Sequence, residues 1–412
     1  MKKVIMMMAV AMMTAVQLAC FAQQTVTYPA VPGMRTSTDF KATVNGQYDW
    51  QAIADGMSHA LIDHFWGANF EGYEQRYYFN YGSDLTDMTT IHYWPQAHAM
   101  DVLVDGYLRT GRKEYVDLFP LWWQGAPTFN TGDNDNDPWW NVYVDDMEWI
   151  TLAQIRMFES TGNDLYFKKA RLLYDSWIWP TWGPENEAPW YGGITWKTDV
   201  SKSKNACSNG PAAIIAARLY QFYDQANLHG GKEKVAYLEE AKKIFAWERK
   251  TLFDAETGAV YDNINQEGRI SRSVYTYNPG TFIGAAYELF RITGDKQYLD
   301  DAIKAADYVI DRMTENNGVL KDDSHGDGGL FHGIFFRYFV KVVNDAALDE
   351  AHHAKFKEFI TRCATTLVEH GLNHHTMLYG GTWWEAPADD ASVCLTAHLT
   401  GCMLIEAMCI VK

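Results

Sequence analysis

The sequence predicts an all-α protein whose helices pair into hairpins and close into a ring of inner and outer helices. Three observations carry this. First, a turn motif recurs, Thr-Gly with Tyr five residues after the Thr: RTGRKEY at 109–115, STGNDLY at 160–166 and ITGDKQY at 292–298, with a weaker copy, HGGKEKVAYLEEA, from His229. Second, each copy follows one apolar helical pattern and precedes another. The motif therefore reads as a hairpin turn, in which Gly ends one helix and Asn or Asp opens the next. Third, the first helix of each pair is apolar nearly all round, whereas the second carries more Lys, Asp and Glu, as inner and outer layers require. One hairpin per roughly 50–70 residues makes six in the mature chain, enough to close a toroid. No Pro- or Ser-rich linker divides residues 23–412, which are expected to form a single domain.

Taken in order, Met1-Lys2-Lys3 and the apolar run to about Ala19 have the form of a secretory signal, with Cys20-Phe21-Ala22 as its exit before Gln23. Export follows, to the periplasm, cell surface or medium. A lipid anchor on Cys20 is the weaker reading, because Gln17 stands where lipoprotein signals carry Leu. The run is too short to span a membrane, and no later segment qualifies. Cys207, Cys363, Cys394, Cys402 and Cys409 remain, an odd number without a CxxC, and read as buried small hydrophobes rather than a disulfide framework.

The formal charge of −17 repels nucleic acid and other polyanions and favours a neutral partner. Sixteen Trp and 24 Tyr exceed the needs of a core, and flat aromatic faces suit sugar rings. These aromatics concentrate in the long segments between hairpins, 130–146, 179–199, 261–280, 321–333 and 380–390, while the Thr-Gly turns are short and polar. The long loops should share one face of the ring, and function with them.

Within the first of these segments, VYVDDMEW (142–149) sets two carboxylates side by side where a helix begins. Asp145 as N-cap with Glu148 three residues on would make a capping box, which leaves Asp146 unexplained. The alternative is chemistry. Two carboxyls about 5–6 Å apart suit glycoside hydrolysis with retention, one attacking the anomeric carbon while the other holds a proton that its neighbour's charge helps to keep. DNDNDP (133–138) imitates a calcium loop at Asp133, Asp135 and Asp137, but Pro138 and Val144 replace the discriminating Gly and Glu. His352-His353 and His374-His375 lack the spacing of a zinc pair, and His325 and His332 flank a Gly-rich turn as candidate substrate contacts. Neither metal nor cofactor is expected.

The stretches YWPQAHAMDVLVDGYLRTG (93–111), WWNVYVDDMEWITLA (139–153), GGITWKTDVSKSKNACSNGPAAIIAARLY (192–220), TYNPGTFIGAAYELFRITGD (276–295) and GLFHGIFFRYF (329–339) together resemble glycoside hydrolase family 76, the bacterial α-1,6-mannanases. The resemblance spans most of the mature chain. It implies an (α/α)6 toroid and retaining endo-hydrolysis of a mannan backbone, with Asp145 as nucleophile and Asp146 as acid/base. Pro279 and His332 depart from the family pattern, where Gln and Lys are expected. Asn205, Asp262, Tyr277 and Asn278 are candidate hydrogen-bonding partners of sugar hydroxyls. Trp94, Trp139, Trp140, Trp196, Trp383 and Trp384 are candidate stacking platforms, each with core packing as its alternative. The expected partner is mannan polysaccharide or oligosaccharide, bound by a monomer. A transglycosylase on the same pair and a non-catalytic glycan-binding protein are the competing readings; pure binding gains little from two adjacent carboxylates.

Overall fold

The computed structural model describes residues 48–66, 76–80, 93–130, 137–198, 202–226, 230–322 and 325–412. The chain divides into Met1–Pro32 and Gly33–Lys412; the first unit, with the expected signal and its exit, lies outside the described residues.

The helices are α1 (Trp50–Phe65), α2 (Tyr93–Thr110), the short α3 (Lys113–Val116) and α4 (Phe119–Gly125), α5 (Val144–Thr161), α6 (Asp164–Leu173), α7 (Ala206–Phe222), α8 (Lys234–Thr251), α9 (Tyr277–Thr293), α10 (Lys296–Arg312), α11 (Phe331–Val343), α12 (Glu350–Thr366) and α13 (Leu395–Ile410). In the sequence α2, α5, α7, α9, α11, α13, each packs against the next, and α13 returns to α2. These are the inner helices of an (α/α)6 toroid. Their burial shows it: α7 is buried without a break from Ala206 to Leu219 and α13 from Leu395 to Ala407, whereas the outer helix α10 buries one face, through Leu299, Ala302, Ala305, Ala306 and Val309. Five hairpins come from adjacent sequence. The sixth does not: α1 packs on α13, so the earliest and latest described helices complete the ring.

The repeat motif works as a compact turn. Gly162 ends α5 in the left-handed region at φ 67°, where L side chains are strained. The hydroxyl of Thr161 donates back to the Met157 carbonyl (2.6 Å) and accepts from the Asn163 N–H (3.2 Å). Asn163 then caps α6 through the Leu165 N–H at 3.1 Å. Thr293, Gly294 and Asp295 repeat the arrangement between α9 and α10. The motif's Tyr115 lies on Gly106 of the preceding helix, where an added Cβ would stand 3.0 Å from the ring.

Hairpins that alternate in direction send the Thr-Gly turns to one end of the ring and the long loops to the other, before the N-termini of α5, α7, α9, α11 and α13. Two of these loops are joined by an antiparallel sheet that helical periodicity did not announce: β1 (Lys204–Asn205), β2 (Asn263–Ile264) and β3 (Ile270–Ser271), in that order, with Asn205 opposite Asn263. At the opposite end, Arg109 of α2 donates to Asp55 of α1 (2.8 Å) and to Glu406 of α13 (2.9 Å), all three nearly enclosed.

Candidate active site

The first turn of α5 is held from outside the helix. The Val144 N–H donates to the Trp196 carbonyl (2.8 Å) and the Thr198 N–H to the Val142 carbonyl (2.9 Å). Tyr143 is the N-cap and makes no side-chain capping bond, which places Asp145 and Asp146 at the second and third helical positions. The capping-box reading is therefore corrected: Glu148 is fully buried, and neither of its oxygens has a hydrogen-bond partner.

Asp145 accepts from two side chains on one oxygen, Oδ2: the Trp196 indole Nε1 at 3.2 Å and the Cys207 thiol at 3.3 Å. Its Oδ1 is enclosed and has no partner. Both aspartates keep some accessible surface, yet their carboxyl groups are surrounded by protein. Burial pushes Asp145 up to about 7, against the lowering effect of the Cys207 and Trp196 hydrogen bonds. Asp146 has no such donors. Burial, then the charge of Asp145, then that of Asp327 push it well above the carboxylate range. Asp145 thus ionises first and Asp146 keeps its proton, because only Asp145 is offered hydrogen bonds that favour its anion.

Four predicted polar residues gather beside this pair, at the junction of α5, α7 and α9. Asn205 ends β1 and accepts from Ser203 Oγ (2.7 Å). The Asp262 carboxylate accepts from Asn263 (2.6 Å) and from Asn278 (3.4 Å), and burial raises its pKa. Asn278 is fully buried with Oδ1 unpartnered. Tyr277 stacks parallel on Phe331, with ring centres 4.1 Å apart, and lies beside Cys207.

The tryptophans divide. Trp196 touches the nucleophile candidate, and Trp94 reaches the site through its indole N–H, which donates to Asp327 at 3.1 Å. Trp140 is half-buried with its edge against Trp177, and Trp384 is exposed beside His370. Trp139 and Trp383 are corrected to core residues. Trp139, 3% exposed, packs against Trp122 and Trp123; Trp383, 1% exposed, lies against Tyr379 and His332. Neither presents a face to a ligand. His332 is likewise structural, bridging Thr276 Oγ1 (2.8 Å) and the Lys321 carbonyl (2.7 Å). Pro279 falls in the first turn of α9, where the missing N–H costs no helical bond. Asp137 pairs with Lys169 at 3.2 Å and caps the Trp139 N–H; Asp133 and Asp135 lie outside the described residues. Among the described residues no group of three His, Cys, Asp or Glu is placed to hold a metal, and no helix is long and apolar enough to cross a membrane.

Two residues were missed. Cys207 reads in sequence as one more small hydrophobe, and only its position just after a long loop marks it. Asp327 lies in a Gly-rich run that reads as a turn, its one signal being an acid in a long loop before an inner helix.

A glycosyl hydrolase family 76 model matches residues 47–411. No curated protein matches the chain. Among solved structures, the chain is similar to an α-1,6-mannanase of Salegentibacter sp. HEL1_6, an inactive variant with two consecutive aspartates replaced, in complex with α-1,6-mannotetrose. It is 36% identical, with a TM-score of 0.77, over 88% of this chain and 100% of that one. It is also similar to a Listeria innocua protein, at 29% identity and a TM-score of 0.74, over 87% and 96% of the two chains. A family 76 glycoside hydrolase from a bovine Bacteroides thetaiotaomicron strain, at 19% identity and a TM-score of 0.70 over 88% of this chain and 78% of that one, shares the fold. With the toroid, the match over residues 47–411 and a 36% identical relative in agreement, the protein belongs to glycosyl hydrolase family 76.

Proposed function

We propose that the protein is an exported, retaining endo-α-1,6-mannanase in which Asp145 is the nucleophile and Asp146 the acid/base. One observation carries the reading: two adjacent carboxyls share an enclosed site, and the hydrogen-bond donors fall on one of them alone. That asymmetry separates an anion from an acid, the division that double displacement needs. In the first step an oxygen of Asp145 attacks C1, the glycosidic C–O bond breaks, and the proton of Asp146 passes to the leaving oxygen. In the second, water attacks C1, gives its proton to Asp146 and releases Asp145. Neighbouring Cα atoms lie about 3.8 Å apart, so the two carboxyls reach the wider spacing of an inverting site only by splaying fully. Asn205, Asp262, Tyr277 and Asn278 would orient sugar hydroxyls, while Trp94, Trp196 and the accessible Trp140 and Trp384 would line the path of the chain. The related mannanase whose inactive variant replaces two consecutive aspartates supports the assignment by analogy.

The test is linear α-1,6-mannan with products sized over time and the first-formed anomer read by proton NMR. Rapid shortening to a spread of oligomers with α-anomer first is the expected result. An initial β-anomer would overturn retention, lengthening of oligomers would favour transglycosylation, and binding without cleavage would favour a glycan-binding role.

A further inference from the structure

We propose that Cys207 is a positioning residue for the nucleophile, its thiol fixing the orientation and basicity of Asp145 through an S–H···O hydrogen bond to Oδ2; this rests on the mannanase reading above. The thiol has little freedom to lie elsewhere. α7 opens at Ala206, whose N–H is tied to the Asp262 carbonyl at 2.8 Å. One turn on, Asn209 clamps the same segment, donating to the Asn205 carbonyl (2.7 Å) and the Ile194 carbonyl (3.2 Å) and accepting from the Ile194 N–H (2.8 Å). The sulfur is thereby set 3.3 Å from Oδ2 of Asp145, on the oxygen that Trp196 also holds. Tyr277 on α9 stands beside Cys207 on α7, which in turn reaches Asp145 on α5.

Chemistry distinguishes this contact from packing. A thiol is a weak donor, so it steers a carboxylate and lowers its basicity by less than a hydroxyl in its place would. The group must stay S–H to donate. It does, because burial and the charges of Asp145 and Asp262 raise the thiol well above its ordinary range. The other ionisable groups around the contact are Asp146 and Glu148 on α5, Tyr277 on α9 and Asp327 beyond Asp146, with Lys197 lying 4.8 Å from the Trp196 ring centre. None of them donates to Asp145 Oδ2; of the described side chains, Cys207 and Trp196 do.

The experiment compares Cys207→Ala and Cys207→Ser with the parent, each checked by circular dichroism. Two quantities are read: kcat/KM against pH on linear α-1,6-mannan, and the S–H stretching band of Cys207, isolated by subtracting the Cys207→Ala infrared spectrum. Losing the bond should move the acid limb upward by about one unit, a loss of about tenfold below the limb. Cys207→Ser should return the limb to the parent position or below it. The S–H band should shift to lower frequency as Asp145 ionises. An acid limb unmoved in both folded variants, or a band that ignores pH through the same interval, would overturn the proposal. A parent protein that cleaves no mannan would instead sink the mannanase reading, and the infrared titration would still decide the Cys207–Asp145 bond.

Discussion

Replacing Trp196 by Phe isolates the other donor to the nucleophile. The phenyl ring keeps most of the indole's contact with Tyr143, whose ring centre lies 5.3 Å away, and deletes only the N–H that reaches Asp145 Oδ2 at 3.2 Å. A hydrogen bond to an ionised group contributes about 1.5–3 kcal/mol. At about 1.4 kcal/mol per unit, its loss moves the carboxyl by about one to two units. The bond favours the anion, so the move is upward. On the acid side of the limb, where kcat/KM follows the ionised fraction of Asp145, a displacement of about one to two units is a drop of about 10- to 100-fold. The loss should shrink as pH rises and vanish above the new limb. The assay is kcat/KM from about pH 5 to about pH 9.5 on a short α-1,6-mannooligosaccharide, a range that brackets both limbs. A uniform loss at every pH, with the limb in place, would refute the reasoning and make Trp196 a substrate contact instead.

Three further outcomes are expected. Glu148 is buried without a partner and its folded-state pKa lies well above the ordinary range, so its stabilising contribution is complete below that range and is lost as pH rises toward the folded value. Glu148→Gln should therefore flatten the fall of Tm between about pH 5 and about pH 8, and thermal melts at both ends would show it. Gly280 of α9 meets α11 so closely that an added Cβ would stand 2.7 Å from the Phe335 Cα; Gly280→Ala should cost about 1–3 kcal/mol in urea unfolding through forced backbone movement. Arg109→Met should cost about 3 kcal/mol in the same measurement, because it leaves Glu406 enclosed without a cation, while Asp55 keeps its pair with Arg112.

The ring was legible because its two signals are local. An inner helix such as α7 must be apolar on every side, and a turn such as Thr161-Gly162-Asn163 closes through bonds made within a few residues. The Asp145–Asp146 pair was legible for the same reason: both groups sit in one helical turn. Contacts made across the fold were not. Whether Trp139 faces a sugar or Trp122 depends on α4, which no pattern around Trp139 encodes. Cys207 and Cys402 look alike in sequence, and the partner that distinguishes Cys207 lies on α5. The sheet of β1, β2 and β3 escaped notice because strands of two residues carry no alternation to detect.

The pairing of α1 with α13 bears on how the chain reaches this state. Ser58 and Glu406, which meet across that pair, are 348 residues apart in sequence. Joining such distant points in an otherwise open chain carries an entropic cost of about 5 kcal/mol beyond the length-independent part. Each adjacent hairpin, with a much shorter span, has a much smaller one. Assembly should therefore zip from hairpin to hairpin and shut last at this seam. Until α13 arrives, the apolar faces of α1 and α11 that it covers have no partner, and a chain emerging from its N-terminus holds that of α1 open for almost its whole synthesis. A circular permutant that joins α13 to α1 through a short linker and opens the chain at Gly162 would turn this seam into a local hairpin, and should fold faster than the natural order while keeping the same ring.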